Sequence, residues 1–265
     1  MARTETLADG LLVISDLVPV DGRVSWHDPQ GQGFEPHNEY LVLEDDRALL
    51  IDTGHAVHGP SLVAALEEAR GARSLCVLLT RSELDCLGNL PAVVERFDDV
   101  KVVTSNALPP IGLVHLGAKQ RGDVFVHHLT IGDTLAPFGF ARVRSLQPVV
   151  KLLGTCWAFD EATQTLFTSD FFGAALMRTP NELIAQREAS GLPSREAIRR
   201  TILAKFNWLA RAEIHEVLAI WDKAFATLKP KIIAPIHGKP IVGADLVART
   251  ITDYRAAIAA CRQTS

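Results

Sequence analysis

The chain begins with short apolar runs separated by polar segments, a pattern typical of β-strands. Leu11–Ile14 is the first run, and Tyr40–Leu43 and Ala48–Asp52 form a pair with only charged residues between them. Charged residues in that position favour an exposed hairpin turn. The polar, glycine-rich segment Asp28–Asn38 precedes the pair and is predicted to be a loop.

Helical periodicity then alternates with short apolar strands. Ser61–Arg70 has apolar residues on one face and is followed by Gly71, a common helix stop. The next predicted elements are a strand at Leu75–Leu79, a helix at Gly88–Phe97 and a strand beginning at Val102.

Residues 124–170 return to strands, and the remainder is mostly helical. The predicted strands are Val124–Leu129, Phe140–Leu146, Cys156–Phe159 and Thr165–Thr168. Three helices, Ser194–Leu209, Ala212–Leu228 and Ala244–Arg262, accompany one further strand, Lys231–Ala234. This order predicts an α/β fold, an αββα sandwich of two mixed β-sheets with helices on the outer faces. The alternative, a doubly wound parallel sheet, is disfavoured by the strand-only stretch.

Length and composition favour one globular domain. The chain has 265 residues, 48% of them hydrophobic, and no linker or repeat divides it, so we expect a single domain over 1–265. The formal net charge is −4 without a basic block, which argues against a nucleic-acid partner. No apolar run has membrane-spanning length, so no membrane association is expected.

Cysteine usage and the N-terminus favour a cytoplasmic protein. The four cysteines, at positions 76, 86, 156 and 261, show no close pairing. The first ten residues lack the apolar core of a secretory signal. Both observations fit a reducing compartment.

Polar residues directly follow four of the apolar runs. The segments are Ile51–Gly54, Thr80–Gly88, Phe167–Asp170 and Ala234–Gly238. In α/β proteins the carboxyl ends of strands commonly carry the functional site. Each segment alone is typical of a turn or a helix cap, so it is their combination that predicts a site.

Together these segments resemble the metallo-β-lactamase superfamily, most closely its flavodiiron and oxygen-binding di-iron branch. Asp52–Gly54 matches an early Asp-Thr-Gly element, and residues 81–88 match the His-x-Glu-x-Asp-His-x-Gly motif in frame. Glu83 stands where the di-iron branch has glutamate and the hydrolases usually have histidine. Asp170 stands at the bridging aspartate, and Ala234–Gly238 resembles the closing Pro-x-His-Gly element.

Three of the four histidines that the resemblance implies are replaced. Arg81 and Cys86 stand at two of these positions, spacing places Lys151 at the third, and His237 is retained. Protonated arginine and lysine have no lone pair to offer a metal. The resemblance therefore implies that the first metal site is lost, with Glu83 as its remnant.

The second metal site keeps a possible set of ligands. By resemblance it would contain Asp85, Cys86, Asp170 and His237, and a thiolate can replace imidazole on Zn²⁺ or Fe²⁺. One divalent metal at this single site is one reading. The other is a metal-free cluster in which Arg81 and Lys151 replace the metal charge beside the carboxylates. The remaining histidines, His55 and His58 among them, match no ligand position of the family.

The function hypotheses follow from this incomplete site. The first is a non-enzymatic or regulatory descendant that binds a small-molecule ligand or a partner. The second is a mononuclear zinc or iron hydrolase or oxidoreductase, and the third is an oxidoreductase with an unusual di-iron site. No flavodoxin-like domain and no FMN are expected. A homodimer is predicted, since related proteins commonly dimerise and the last helix carries the apolar residues Ile251, Tyr254 and Ile258.

Overall fold

Two mixed β-sheets pack face to face, with helices on both outer sides. The computed structural model of the chain describes residues 2–22, 24, 26–105, 114, 126–151 and 154–262. Within these ranges the elements form a seven-stranded and a six-stranded sheet. The predicted αββα sandwich is confirmed.

The first sheet comes from the N-terminal half of the chain. Its strands lie in sequence order: β1 (Arg3–Ala8), β2 (Leu11–Val20), β3 (Gly33–Leu43), β4 (Arg47–Ile51), β5 (Ser74–Leu79), β6 (Lys101–Thr104) and β7 (Val126–His128). The strands β1 to β4 pair antiparallel, and β4 to β7 pair parallel.

The second sheet comes from the C-terminal half. Its strands are β8 (Thr134–Leu135), β9 (Phe140–Leu146), β10 (Trp157–Asp160), β11 (Thr165–Ser169), β12 (Ile232–Pro235) and β13 (Ile241–Val242). They lie side by side in sequence order, with β8 at one edge of the sheet and β13 at the other. Only β11 and β12 pair parallel.

Six α-helices are described. They are α1 (Gly59–Arg70), α2 (Leu84–Leu87), α3 (Leu90–Arg96), α4 (Arg195–Lys205), α5 (Ile214–Thr227) and α6 (Ala244–Ala259). Ser194 caps α4 by accepting a hydrogen bond from the Ala197 amide, as expected for an N-cap serine. In the described ranges no helix is long and apolar enough to cross a bilayer.

The apolar side chains form three layers. Between the sheets, the Tyr40 ring lies edge-on to Phe167 with ring centroids 5.4 Å apart. Leu62 and Leu66 of α1 pack on the outer side of the first sheet. The helices α4 to α6 cover the second sheet through an apolar cluster in which Tyr254 is one of seven buried aromatic residues. Each layer removes apolar surface from water, which is the main driving force for the sandwich.

Two sequence-based expectations change. The predicted loop Asp28–Asn38 is strand β3 from Gly33 onward, because these residues continue the antiparallel ladder with β2 as far as Val20. The helix predicted to end at Leu209 stops at Lys205, and a 3₁₀ turn, Asn207–Arg211, follows. The start of the predicted strand Val124–Leu129 lies outside the described residues.

The apolar face of α6 is covered within the chain itself. Tyr254 and Ile258 are buried, and Ile251 packs against the same aromatic cluster. Their apolar character is therefore explained by packing in the core. The homodimer stays a prediction, and its remaining support is that related proteins commonly dimerise.

A seam of hydrogen bonds joins the two sheets at the edge where the motif segments meet. The backbone of β3 pairs with the loop after β12, so that His37 lies opposite His237. The Asn38 amide donates to the Ile236 carbonyl at 2.8 Å, and the Gly238 amide donates to the Pro36 carbonyl at 2.9 Å. This pairing fixes β3 against the second sheet.

The carboxamide of Asn38 strengthens the seam. It donates to the Pro235 carbonyl at 2.9 Å and to the Gly238 carbonyl at 2.7 Å, and its oxygen accepts from Ser15. We expect Asn38→Ala to lower the free energy of unfolding by roughly 3 kcal/mol, because buried acceptors lose their donor. Chemical denaturation measures this loss. The exposed Asn181→Ala is the control and should stay within about 0.5 kcal/mol of the wild type; equal effects would contradict the role of the seam.

Candidate functional site

The Asp-Thr-Gly element forms the scaffold under the site. Asp52 follows β4 and accepts hydrogen bonds from the Thr80 amide at 2.8 Å and the Thr80 hydroxyl at 2.7 Å. The Thr80 hydroxyl also contacts Ser169 at 2.8 Å. Asp52 therefore ties the ends of β4 and β5 to the end of β11, and the residues that follow each strand are held together.

Left-handed backbone marks two of these strand ends. Asp52 has φ 62° and Ser169 has φ 52°, both in the region that costs energy for residues other than glycine. Gly54 has φ 67°, and a Cβ at this position would collide with the carboxylate of Glu39. The chain turns sharply at these points, so that Arg81 and Asp170 face the same space.

Arg81 lies at the centre of a buried ion-pair cluster. Its side chain is 1% exposed, and its guanidinium contacts Asp85 and Asp170 closely and Glu83 at 3.6 Å. Burial alone disfavours a charged guanidinium, but the surrounding acidic groups together outweigh this effect and hold the pKa of Arg81 above its usual value. The arginine is therefore a permanent cation among three carboxylates.

A second cation completes the cluster. Lys205, the last residue of α4, lies with its Nζ atom 3.6 Å from Asp170 and its side chain 10% exposed. Burial lowers the pKa of Lys205 to about 8, and Asp170 opposes this effect. The lysine is thus mostly charged at neutral pH, and the two cations nearly balance Glu83, Asp85 and Asp170.

Imidazole groups lie on the other side of Asp85. His237 Nε2 is 2.9 Å from Asp85 Oδ2, and the His37 ring lies edge-on to the His237 ring with centroids 4.8 Å apart. Potential ligand atoms of His37, Asp85 and His237 lie within 4.8 Å of one another, and no other such group of three is found among the residues described.

Each of the two histidines has a further carboxylate at its Nδ1 atom. Glu35 Oε1 is 3.6 Å from His237 Nδ1, and Glu39 Oε1 is 3.6 Å from His37 Nδ1. Trp26 donates its indole hydrogen to Glu35 Oε2 at 2.9 Å. Glu35, His37 and Glu39 occupy alternate positions of β3, so this one strand supplies three of the polar groups.

Burial sets the charge state of these groups. It holds the pKa of His37 and of His237 well below the usual value, so both imidazoles are neutral at pH 7. Burial and the neighbouring His58 lower the pKa of His55 to about 4. Burial raises the pKa of Glu35 to about 7, although the bond from Trp26 opposes the shift. Neutral imidazoles are able to ligate a metal or to accept a proton.

The residues expected at the second metal site lie in different environments. Asp85 and His237 are in contact, whereas Asp170 is paired with Arg81 and Lys205. The thiol of Cys86 is buried 3.9 Å from the Thr80 hydroxyl, and burial raises its pKa, so it is a neutral thiol at pH 7.

Lys151 lies away from the position expected for it. It is exposed, and the cations that the described part of the chain places beside Asp170 are Arg81 and Lys205. The physical reason is that α4 docks on the second sheet with its last residue directed at Asp170. Glu83 keeps the expected place beside Arg81.

Sequence reasoning missed His37, Glu35 and Lys205. The signal for the first two is the alternation of polar residues at 35 and 37, which continues at Glu39 beyond the predicted loop Asp28–Asn38 and has the period of a strand. No local signal marks Lys205, because its position depends on how α4 packs.

Comparison with known proteins places this geometry in a family. Residues 36–238 match the family model described as "ODP family beta lactamase". The rubredoxin-oxygen oxidoreductase of Megalodesulfovibrio gigas is 24% identical over 245 residues, which cover 88% of this chain and 57% of that protein. The chain thus spans little more than half the length of this relative.

Solved structures share the fold. The Flv1 flavodiiron core from Synechocystis sp. PCC6803 superposes with a TM-score of 0.75 at 18% identity, covering 97% of this chain and 61% of the other. A mutant flavo di-iron protein from Thermotoga maritima gives a TM-score of 0.72 at 18% identity, with coverage of 97% and 61%. At this identity the likeness establishes the fold alone.

The scaffold carboxylate predicts a pH effect. Burial raises the pKa of Asp52 to about 7, although the hydrogen bonds from Thr80 lower it. An unfolded aspartate titrates at about 3.9. Between these values the folded protein holds a proton that the unfolded chain has released, so the stability from Asp52 is present at low pH and is lost as the pH rises through 7.

We therefore expect the free energy of unfolding of the wild type to fall by roughly 3 kcal/mol from pH 5 to pH 8 relative to that of Asp52→Asn, which has no ionisable group at this position. Urea denaturation of both proteins at the two pH values measures the difference. The exposed Asp98→Asn controls for removal of an acid. If the variant lost stability relative to the wild type as the pH rises, or if Asp98→Asn gave the same gain, the buried state of Asp52 would be contradicted.

The cluster predicts unequal roles for two lysines. We expect Lys205→Met to lower the free energy of unfolding by roughly 3 kcal/mol, since Asp170 loses one of its two cations. Lys151→Met is the matched control and should change stability by less than about 0.5 kcal/mol. Thermal denaturation of the two variants and the wild type measures both losses. A larger loss of stability for Lys151→Met than for Lys205→Met would exclude Lys205 as the partner of Asp170.

Proposed function

The chain belongs to the ODP family of β-lactamase-like proteins, and we propose that it is a non-enzymatic member, a ligand-binding or regulatory protein without a dinuclear metal centre. The observation that carries the proposal is the position of Arg81, whose guanidinium contacts Glu83, Asp85 and Asp170. These are the carboxylates that the family resemblance assigns to metal binding.

The donor set does not fit two metal ions. Two divalent ions would add four positive charges beside Arg81 and Lys205, against three carboxylates from Glu83, Asp85 and Asp170. Like charges at close range repel strongly in a buried site. Displacing the guanidinium instead would leave a buried cation without its partners, which costs several kcal/mol. Without metal ions, the two cations nearly balance the charge of the three carboxylates.

The family's redox chemistry is therefore not carried over. The relative from Megalodesulfovibrio gigas is named an oxygen oxidoreductase. A comparable activity here would need a metal centre at carboxylates that Arg81 and Lys205 already engage. A descendant that has kept the fold and lost the dinuclear centre would still hold buried polar groups around Asp85 and His237 that can bind a ligand.

A mononuclear zinc or iron enzyme is the second candidate. The contact between Asp85 and His237 favours it, since both residue types ligate these metals. The remaining members of the predicted set favour it less. Cys86 is a buried neutral thiol, and Asp170 is held by two cations.

Metal analysis and an activity assay test the proposal. Protein expressed in iron-rich medium and purified without chelator is expected to hold fewer than two metal ions per chain, as measured by inductively coupled plasma mass spectrometry. With a chemical reductant it should reduce neither oxygen nor nitric oxide above background. Arg81→His removes the guanidinium and adds a ligand, so it is expected to take up more metal than the wild type. Two irons per wild-type chain would refute the proposal.

A further inference from the structure

The imidazole side of the site holds an unexplained group of polar atoms. Nε2 of His37 and Oδ1 of Asp85 are buried and have no hydrogen-bond partner, and both lie on the side where the two histidines meet Asp85. Buried polar atoms without a partner cost about 1–3 kcal/mol each. Such a cost recurring within one small group indicates that something absent from the protein chain satisfies it.

We infer that His37, Asp85 and His237 form a binding site for one divalent transition-metal ion, with Zn²⁺ as the best-suited probe. This inference rests on the proposed function and names the ligand that such a binding protein would take. The site shares Asp85 and His237 with the motif segments, but its third ligand is on β3, outside every motif. Glu83, Cys86 and Asp170 take no part in it.

The arrangement around the histidines is typical of metal ligands. A metal-bound histidine usually directs its second ring nitrogen at a carboxylate, which fixes the ring and its tautomer. Here Glu39 stands at Nδ1 of His37, and Glu35 stands at Nδ1 of His237. The Nε2 atom of His37 has no partner, and that of His237 faces Asp85. Two such pairs at one place are hard to explain by packing alone.

The backbone holds the two histidines before any ion arrives. His37 and His237 face each other across the seam, where hydrogen bonds of 2.8 and 2.9 Å join the neighbouring residues. Ligands fixed in advance lose little conformational entropy on binding, which raises affinity. The third ligand is oriented by Arg81, which engages Asp85 Oδ2 and leaves Oδ1 without a hydrogen-bond partner.

Charge and coordination number are consistent with one ion. Counted with Glu83, Asp85 and Asp170 and with the cations Arg81 and Lys205, one divalent ion changes the net charge of the site from −1 to +1, and the two imidazoles are neutral ligands. His37, Asp85 and His237 supply three of the four positions that zinc usually takes. His55, whose ring centroid is 4.4 Å from that of His37, and Trp26, at 5.1 Å from His237, border the site.

The test is a titration of the chelator-treated protein with Zn²⁺ by calorimetry. The wild type is expected to bind one ion per chain. His37→Gln and His237→Gln should weaken binding at least 100-fold, whereas Cys86→Ser and the exposed His128→Gln should bind like the wild type. Circular dichroism verifies that each variant is folded.

Two measurements on the wild type remain decisive if a variant fails to fold. Co²⁺ in place of zinc should give no thiolate-to-metal charge-transfer band, and anomalous diffraction from zinc-soaked crystals should place the ion between His37 and His237. Absence of binding, or a thiolate band that Cys86→Ser removes, would overturn this inference and leave the proposed function standing. Two ions per chain would instead overturn the proposed function.

Discussion

A cation buried at the junction of the two sheets imposes the main constraint on this protein. Arg81 is almost fully enclosed, and a guanidinium remains charged under all physiological conditions. Its charge has to be balanced by groups brought from different parts of the chain. Glu83 and Asp85 come from the start of α2, and Asp170 directly follows β11. The sharp turns after β4 and β11 bring Arg81 and Asp170 together, and the docking of α4 brings a second cation, Lys205, to Asp170.

The site has two halves that share one residue. On one side Asp85 belongs to the ion-pair cluster around Arg81, and on the other it contacts His237. In the first half, the side-chain cations Arg81 and Lys205 contact the carboxylates. The second half keeps neutral imidazoles beside carboxylates, with Trp26 and Glu35 around them. The two halves therefore differ in chemistry: one is a cluster of ion pairs, and the other offers neutral imidazoles beside carboxylates.

Much of the fold could be predicted from sequence because its signals are local. The apolar runs at Phe140–Leu146 and Thr165–Thr168 and the helix after Ser194 depend on periodicity and capping, which neighbouring residues determine. The polar start of β3 carries a weaker signal, the alternation at Glu35, His37 and Glu39, because polar residues in a buried strand contradict the usual pattern. Its strand character comes from pairing with β2 and from the seam.

The site was predictable only as far as motif spacing reached. Arg81, Glu83 and Asp170 were expected to lie together, since each follows a strand at a position of the family motifs, and they do. The partner cation was assigned to Lys151 by spacing alone. Its place is taken by Lys205, whose side chain reaches Asp170 only through the packing of α4 against the second sheet. Contacts between residues so distant in sequence carry no signature in either segment.

The order in which the chain leaves the ribosome gives the seam a further consequence. All of the first sheet is synthesised before residues 232–238, which supply the partner of His37, and before α4, which supplies Lys205. Until then the first half of β3 lacks its partners in the seam, and Asp170 lacks its second cation. Since domains generally fold as units, the two sheets can dock fully only after residues 232–238 have been synthesised. A fragment that ends before these residues lacks the seam.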